Sequence, residues 1–245
     1  MTNFPVLILG ARSDIGNAVA HKFASLGHPI QLAARNASAL ETCKADLELR
    51  HGVPVTLHEF DALATHTHKA FVAALPQLPQ IAVCVVGLMG TQSENERDTE
   101  AARLIMRSNY EGPASILSVL ANCFADRNSG TLVGISSVAG DRGRATNYVY
   151  GSAKAGFTAF LSGMRNRLAK LGVQVVTVQP GFVATQMTEG MSLPSKLTAE
   201  PSEVADAIVR AVELKKDVIY VRPIWRFIML IIRNIPERIF KKMQI

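Results

Sequence analysis

Short apolar runs alternate with segments of helical spacing from Phe4 to Val221, and this alternation restricts the chain to an α/β architecture. Phe4 to Leu9, Ile30 to Ala34, Val53 to Phe60, Ile81 to Val86, Thr131 to Ser136, Val173 to Gln179 and Val218 to Val221 read as strands. Between them, helical spacing marks Ile15 to Leu26, Ala37 to Arg50, Thr65 to Leu75, a long region from Glu96 to Ala125 broken near Gly112-Pro113, Tyr148 to Leu171, and Pro201 to Leu214. Ile81 to Val86 is almost uninterrupted in its apolarity, as a central parallel strand covered on both faces would be. Repeated β-α units imply one parallel sheet with helices on both faces. Phe182 to Thr198 reads as a flexible lid.

The 245 residues suffice for one large domain, and no linker, repeat or low-complexity stretch divides them. Residues 1–221 form the expected compact unit, and 222–245 a basic amphipathic tail that either joins it or lies peripheral to it. Cys43, Cys84 and Cys123 are odd in number and lack paired metal spacing, so they read as buried free thiols of a reducing compartment, with no metal site. Met1 to Gly10 runs into a strand without the regions of a secretory signal, which predicts a cytoplasmic protein. The tail holds six basic residues, Arg222, Arg226, Arg233, Arg238, Lys241 and Lys242, against one acid, Glu237, and so carries +5 of the net +6. The rest is close to neutral, which excludes a broad nucleic-acid-binding face.

The first strand ends in Gly10-Ala11-Arg12-Ser13-Asp14-Ile15-Gly16, where a dinucleotide pyrophosphate would meet a helix N-terminus. Gly10 permits the tight turn and Gly16 the close approach, while Asp14 stands where a third glycine is usual. The plainer reading is an ordinary strand-to-helix turn with Asp14 as N-cap, and both can hold at once. After the second strand, Ala34 is followed by Arg35 rather than by an acid that would bind a ribose 2′-hydroxyl. A guanidinium there pairs with a 2′-phosphate, so NADPH is favoured over NADH, with Arg12 as an auxiliary; the alternative is a solvated loop charge. Asp61 either accepts from the adenine amino group or caps the next helix.

Tyr150 and Lys154 stand four apart on one predicted helix, with Ser137 thirteen residues before the tyrosine. A phenol titrates at about 10, and a neighbouring cation lowers that value toward what acid/base work on a carbonyl oxygen requires. Ser137 would hold the same oxygen. Tyr148 has Ser152 four residues on, lacks a lysine partner, and reads as a packing residue. The set points to a nicotinamide-dependent ketone/alcohol enzyme.

With these residues assembled, the chain resembles the short-chain dehydrogenase/reductase family along nearly its whole length. The resemblance rests on Gly10 to Gly16, Asp61, Asn109 in Arg107-Ser108-Asn109-Tyr110-Glu111-Gly112, Ser136-Ser137-x-Ala139-Gly140 with Tyr150-x-x-x-Lys154, and Pro180-Gly181-x-Val183-x-Thr185. It implies a single-domain Rossmann fold, doubly wound, with a seven-stranded parallel sheet. It further implies that Tyr150 exchanges the proton, Ser137 orients the oxygen, Lys154 tunes the tyrosine and binds the nicotinamide ribose, and Asn109 carries a water in a proton relay. Gly10, Arg12, Ser13, Asp14, Ile15, Gly16, Arg35, Asp61 and Gly87 would line the cofactor, with Pro180, Val183 and Thr185 at its nicotinamide end. Cys84-Val85-Val86-Gly87 departs from the family's Asn-Asn-Ala-Gly, which puts its amide contacts to the sheet in doubt.

Within the family, Gly140 to Arg144, Asn147 to Ser152 and the basic apolar tail resemble the decaprenylphosphoryl-2-keto-ribose reductases. That resemblance implies reduction of a 2-keto pentose held on a polyprenyl phosphate, in arabinan precursor synthesis for the cell wall. It also implies a partner oxidase that supplies the ketone. Ile224, Phe227, Ile228, Ile231, Ile235 and Ile239 share one helical face, broken at Pro236, beside Trp225 and arginines. The apolar core of this segment is far shorter than the roughly twenty residues needed to span a bilayer, so it either lies on an anionic membrane surface at the cytoplasmic face or packs against the core or a further copy of the chain. Arg142 and Arg144 are candidates for a substrate phosphate, against the alternative of exposed loop charges. Two other functions stay open: a reductase of a small ketone, steroid or acyl thioester, and a regulatory NADP(H) sensor that would keep the glycine turn without the catalytic groups.

Overall fold

A computed structural model describes residues 4–243. Seven parallel strands form its sheet: β1 (Val6–Leu9), β2 (Ile30–Ala34), β3 (Val55–Glu59), β4 (Ile81–Cys84), β5 (Gly130–Ile135), β6 (Val173–Pro180) and β9 (Val218–Val221). Their order is β3-β2-β1-β4-β5-β6-β9, with the direction of winding reversing between β1 and β4. Two-residue strands β7 (Phe182–Val183) and β8 (Thr198–Ala199) pair in parallel at the two ends of the expected lid, which contains two 3-10 turns between them.

The longer helices are α1 (Asp14–Ser25), α2 (Glu41–His51), α3 (His68–Ala73), then short α4 (Gln92–Asn95), α5 (Thr99–Met106), α6 (Gly112–Arg127), α7 (Tyr148–Leu168), α8 (Pro201–Glu213), α9 (Ile224–Asn234) and short α10 (Glu237–Phe240). The strands alternate their side chains between two cores. Val6, Ile8, Leu32, Val83, Val133 and Val176 meet Val19 and Phe23 of α1 and Ile208 of α8 on one face. Leu7, Leu9, Ala82, Leu132 and Val175 meet Leu117 and Phe124 of α6 and Phe157 and Leu161 of α7 on the other. This two-faced burial is why the strands read as continuous apolar runs.

The expected break near Gly112-Pro113 is absent. The chain stays helical from Thr99 to Arg127 through a π-helical turn, Arg107–Glu111, which contains Asn109. Pro113, the second residue of α6, stands directly after the π-helical turn. Gly112 sits so close to the Ala62 carbonyl that a Cβ could not be accommodated. Of the cysteines only Cys84 is buried; Cys43 and Cys123 are half-buried, and all three are free thiols. Tyr148, expected to pack, is 45% exposed at the start of α7.

The tail is two helices separated at Pro236, as its sequence implied, and residues 244 and 245 lie outside the described ones. Trp225 and Met229 of α9 are buried in a small cluster with Val138, against which Ile228 and Ile232 pack. Burying a side chain such as Met229 contributes about 1.5–3 kcal/mol. Arg142 fastens the other end: Nη1 donates to the carbonyls of Ile232 at 2.7 Å and Ile235 at 2.6 Å, and Nη2 to Glu237 at 2.9 Å. Its guanidinium carbon also stands 3.6 Å from the centroid of the Phe240 ring. A cation at a helix C-terminus satisfies carbonyls that no backbone amide reaches. Arg142 is therefore spent on the tail, which removes it as a phosphate candidate. No helix among the described residues is long and apolar enough to cross a membrane.

Candidate active site

The carboxyl ends of β1, β2 and β4 open into a groove of about 570 Å³, lined by Gly10, Arg12, Ser13, Arg35, Asp61, Gly87 and others. Gly10 has φ +90°, the left-handed region that favours glycine, and a Cβ there would stand 3.1 Å from the Val86 nitrogen. At Gly16 a Cβ would meet the Gly10 carbonyl at 2.7 Å. Both glycines thus hold the first turn of α1 against the strand ends, leaving helix N–H groups and their dipole at the groove. The helix cap is Ser13, whose Oγ accepts from the Gly16 amide at 3.0 Å. Asp14, weighed as the cap, is the first helical residue instead, and its carboxylate accepts from the Gln186 amide at 2.8 Å.

Arg12 donates to the Arg35 carbonyl at 3.4 Å, and both residues line the groove at the end of β2. Glu59, the nearby acid at the end of β3, accepts from the Asn36 and Ala37 amides at 2.9 Å each, and these bonds lower its pKa. Asp61 accepts from the Leu63 amide at 2.9 Å, capping a turn rather than a helix.

Beyond Gly87 lies a more enclosed cavity of about 170 Å³. Ser137, Tyr150 and Lys154 line it together with Ile15, Pro180, Val183 and Thr185. Ser137 caps the 3-10 turn Val138–Gly140, its Oγ accepting from the Ala139 amide at 3.1 Å, and its hydroxyl acts on the Tyr150 phenol in the direction that lowers the phenol's pKa. The turn seats on α7 because Gly140 approaches the Ala155 nitrogen too closely for a side chain. One helical turn after Tyr150, Lys154 is buried, its Nζ donating to the Ile135 carbonyl at 2.9 Å and standing 5.7 Å from the Tyr150 ring centroid.

The electrostatics differ from the sequence expectation. Burial pushes Tyr150 up to about 12, opposed only in part by the Ser137 hydrogen bond. Burial also pulls Lys154 down to about 8, with a small opposing effect of Cys84. Burial dominates both groups, and the Lys154 Nζ is directed at the Ile135 carbonyl. The phenol is thereby kept as a protonated donor at neutral pH.

Asn109 is fully buried in the π-helical turn. Its Nδ2 donates to the Leu88 and Ile105 carbonyls at 2.5 and 2.8 Å, and its Oδ1 accepts from the Leu88 amide at 3.3 Å. A Cβ on Gly87 would stand 3.0 Å from that Oδ1 and 3.4 Å from the Lys154 Nζ, so Gly87 keeps the asparagine and the lysine adjacent. Such π-helical turns recur at functional sites.

The cavity wall also holds residues that sequence reasoning did not assign to it: Trp225 of α9, Met187 and Met191 of the lid, and Asn147. Their signal in the sequence was only apolar or polar residues in loops, which names no cavity. Arg222, one of the tail's six basic residues, has φ +57° and donates to Glu203 through Nε and Nη2 at 3.2 and 2.9 Å.

A doubly wound parallel sheet with a glycine turn at its switch point, and a Ser-Tyr-Lys set at the adjoining strand ends, defines a Rossmann-fold oxidoreductase. Residues 5–195 match the family model described as short chain dehydrogenase. An uncharacterized oxidoreductase of Mycobacterium tuberculosis is 38% identical over 242 residues, covering 98% of this chain and 96% of the relative. Another from Streptomyces coelicolor is 31% identical over 242 residues, covering 97% and 95%. Among solved structures, a short-chain dehydrogenase from Sphingobium yanoikuyae in complex with NADPH superposes with a TM-score of 0.81 at 22% identity, covering 95% of this chain and 96% of that one. The NADPH complex of an actinorhodin polyketide ketoreductase gives 0.78 at 22%, covering 89% and 95%. The chain belongs to the short-chain dehydrogenase family.

Proposed function

We propose that this protein is an NADPH-dependent ketoreductase, with Tyr150 as proton donor, and that its substrate is the 2-keto group of a pentose carried on a polyprenyl phosphate. The convergence of Ser137, Tyr150 and Lys154 in one cavity beside the glycine-turn groove carries the reading. The groove fits a dinucleotide: Gly10 lines it, and the close packing at Gly10 and Gly16 holds the N-terminal turn of α1 against the strand ends beside it. Arg12 and Arg35 at the β2 end support a 2′-phosphate, and two fold relatives hold NADPH. Bound NADPH supplies the hydride.

Ser137 orients the carbonyl oxygen, and the high pKa of Tyr150 keeps its proton available until alkoxide character develops there. Lys154 holds its cation beneath the site and binds the ribose end of the cofactor. Asn109, adjacent to Lys154 through Gly87, carries the relay that returns a proton to the tyrosine. Pro180, Val183 and Thr185 close the nicotinamide end.

The lipid-linked substrate is supported by the outer face of α9. Ile224, Phe227, Leu230 and Ile231 are 50–68% exposed, and Arg226, Arg238, Lys241 and Lys242 are exposed beside them. The inner face of the same helix contributes Trp225 to the cavity, so a membrane-docked α9 would bring the pocket to the lipid surface. In this reading the protein works at the inner membrane face as a peripheral protein, and an oxidase that forms the 2-keto group precedes it.

Tyr150→Phe should lower ketone reduction by about 10²–10⁴-fold while NADPH binding is retained. Equal turnover by wild type and variant would refute the mechanism. Pelleting with anionic liposomes should capture the full chain and fail for Phe227→Glu/Ile231→Glu; absence of binding by the full chain removes the membrane part alone.

A further inference from the structure

We infer that Arg144 and Asn147 form a subsite for a hydroxylated, anionic portion of the substrate, Arg144 taking an anionic oxygen and Asn147 a hydroxyl. This deepens the ketoreductase reading by naming a chemical class of ketone, and it rests on that reading for the place of the reaction. Both residues line the cavity that holds Ser137 and Tyr150.

Arg144 Nε and Asn147 Oδ1 are buried and have no hydrogen-bond partner among the described residues. One is a donor and the other an acceptor, so a ligand that satisfies both must bring an acceptor and a donor of its own. Leaving a buried polar atom unpaired is costly, and a charged group more so, which is why such atoms in a cavity wall point to what fills it. The nearest acid does not serve. Asp141 is close enough to raise the pKa of Arg144, yet its Oδ1 accepts from Gln179 at 2.7 Å and its Oδ2 from Tyr220 at 2.9 Å. Among the described residues no carboxylate lines the cavity, and its ionisable groups are Arg144, Tyr150 and Lys154.

Arg142, two residues earlier, provides the contrast. Its guanidinium is saturated by tail carbonyls, Glu237 and the Phe240 ring, whereas burial lowers the pKa of Arg144 without a compensating ion pair. An anionic oxygen would relieve that cost and, through the planar guanidinium, fix the orientation of the ketone. Phosphate esters supply this chemistry from two sources, a free sugar phosphate or the phosphate head of a lipid carrier. The apolar walls, Phe182, Met187, Met191 and Trp225, accommodate the carbon skeleton beside it.

Calorimetric titration on the protein, with and without NADP+, tests the subsite. D-ribulose 5-phosphate is compared with D-ribulose, and geranyl phosphate with geraniol, on wild type, Arg144→Gln and Arg144→Lys. At least one phosphate should bind wild type tenfold or more tightly than its neutral counterpart. That preference should vanish in Arg144→Gln and survive in part in Arg144→Lys. A preference in the ribulose pair marks a free sugar phosphate, and in the geranyl pair a lipid phosphate. No preference in wild type, or an undiminished one in Arg144→Gln, overturns the subsite. NADP+ affinity should be equal in all three proteins, which verifies folding. Its absence from wild type would count against the reductase reading, while the phosphate preference is still read on the protein alone.

Discussion

The indole of Trp225 packs directly on Gly181, so that a Cβ at this glycine would overlap the ring system. Its Nε1–H donates to the Leu197 carbonyl at 3.1 Å, and the Phe182 ring meets it edge-on at 5.4 Å between centroids. One side chain thus joins the tail helix, the turn after β6 and the lid at the wall of the active-site cavity.

Gly181→Ala should displace α9. Overpacking of this kind costs about 1–3 kcal/mol. The chain has a single tryptophan, so its emission reports the site without ambiguity. A red shift and a lowered Tm are expected; a variant with unchanged emission and Tm would show that the contact is not maintained in solution.

Lys154 sets a pH dependence with a definite sign. Its folded pKa of about 8 lies below its ordinary 10.5, so between these values the unfolded chain holds more protons. The contribution to stability is present above about 10.5 and lost as pH falls through about 8. In the proposed mechanism activity runs the other way, because there the Lys154 cation binds the cofactor. The kcat/KM for NADPH, which reports the free enzyme, should fall above pH about 8, while Tyr150 stays protonated to about 12. A profile flat to pH 10 contradicts this assignment.

Arg142→Gln should free the end of the tail. It removes charged donors from the carbonyls of Ile232, Arg233 and Ile235 and from Glu237, with an expected loss of about 1.5–3 kcal/mol. Glu237→Gln should cost at most about 1 kcal/mol, since that carboxylate is 75% exposed. Hydrogen exchange across residues 224–240 should accelerate strongly in the first variant and little in the second. Equal protection in Arg142→Gln and wild type would rule out the clasp.

The sheet and the glycine turn were legible because both are local. Two-faced burial makes apolar runs, and the strand-turn-helix junction needs glycine where no Cβ fits. Tyr150 and Lys154 were legible for the same reason, being one helical turn apart. The capping role given to Asp14 was not, since Ser13 reaches the free amide first and the Asp14 carboxylate meets an amide 172 residues later. Nor was the fate of the two loop arginines. Arg142 and Arg144 are chemically alike in the sequence, and only the position of α9 makes one a clasp and leaves the other facing the cavity.

The amino-acid order by itself determined the alternation of strands and helices, the glycine turn at the first strand and the four-residue spacing of Tyr150 and Lys154. Each depends on neighbours within a turn or two. Tertiary structure alone decided which charges are neutralised, which way burial moves the tyrosine and lysine, and that the tail helix walls the cavity. Those outcomes depend on desolvation and on contacts between segments distant in the chain, quantities that no local pattern contains.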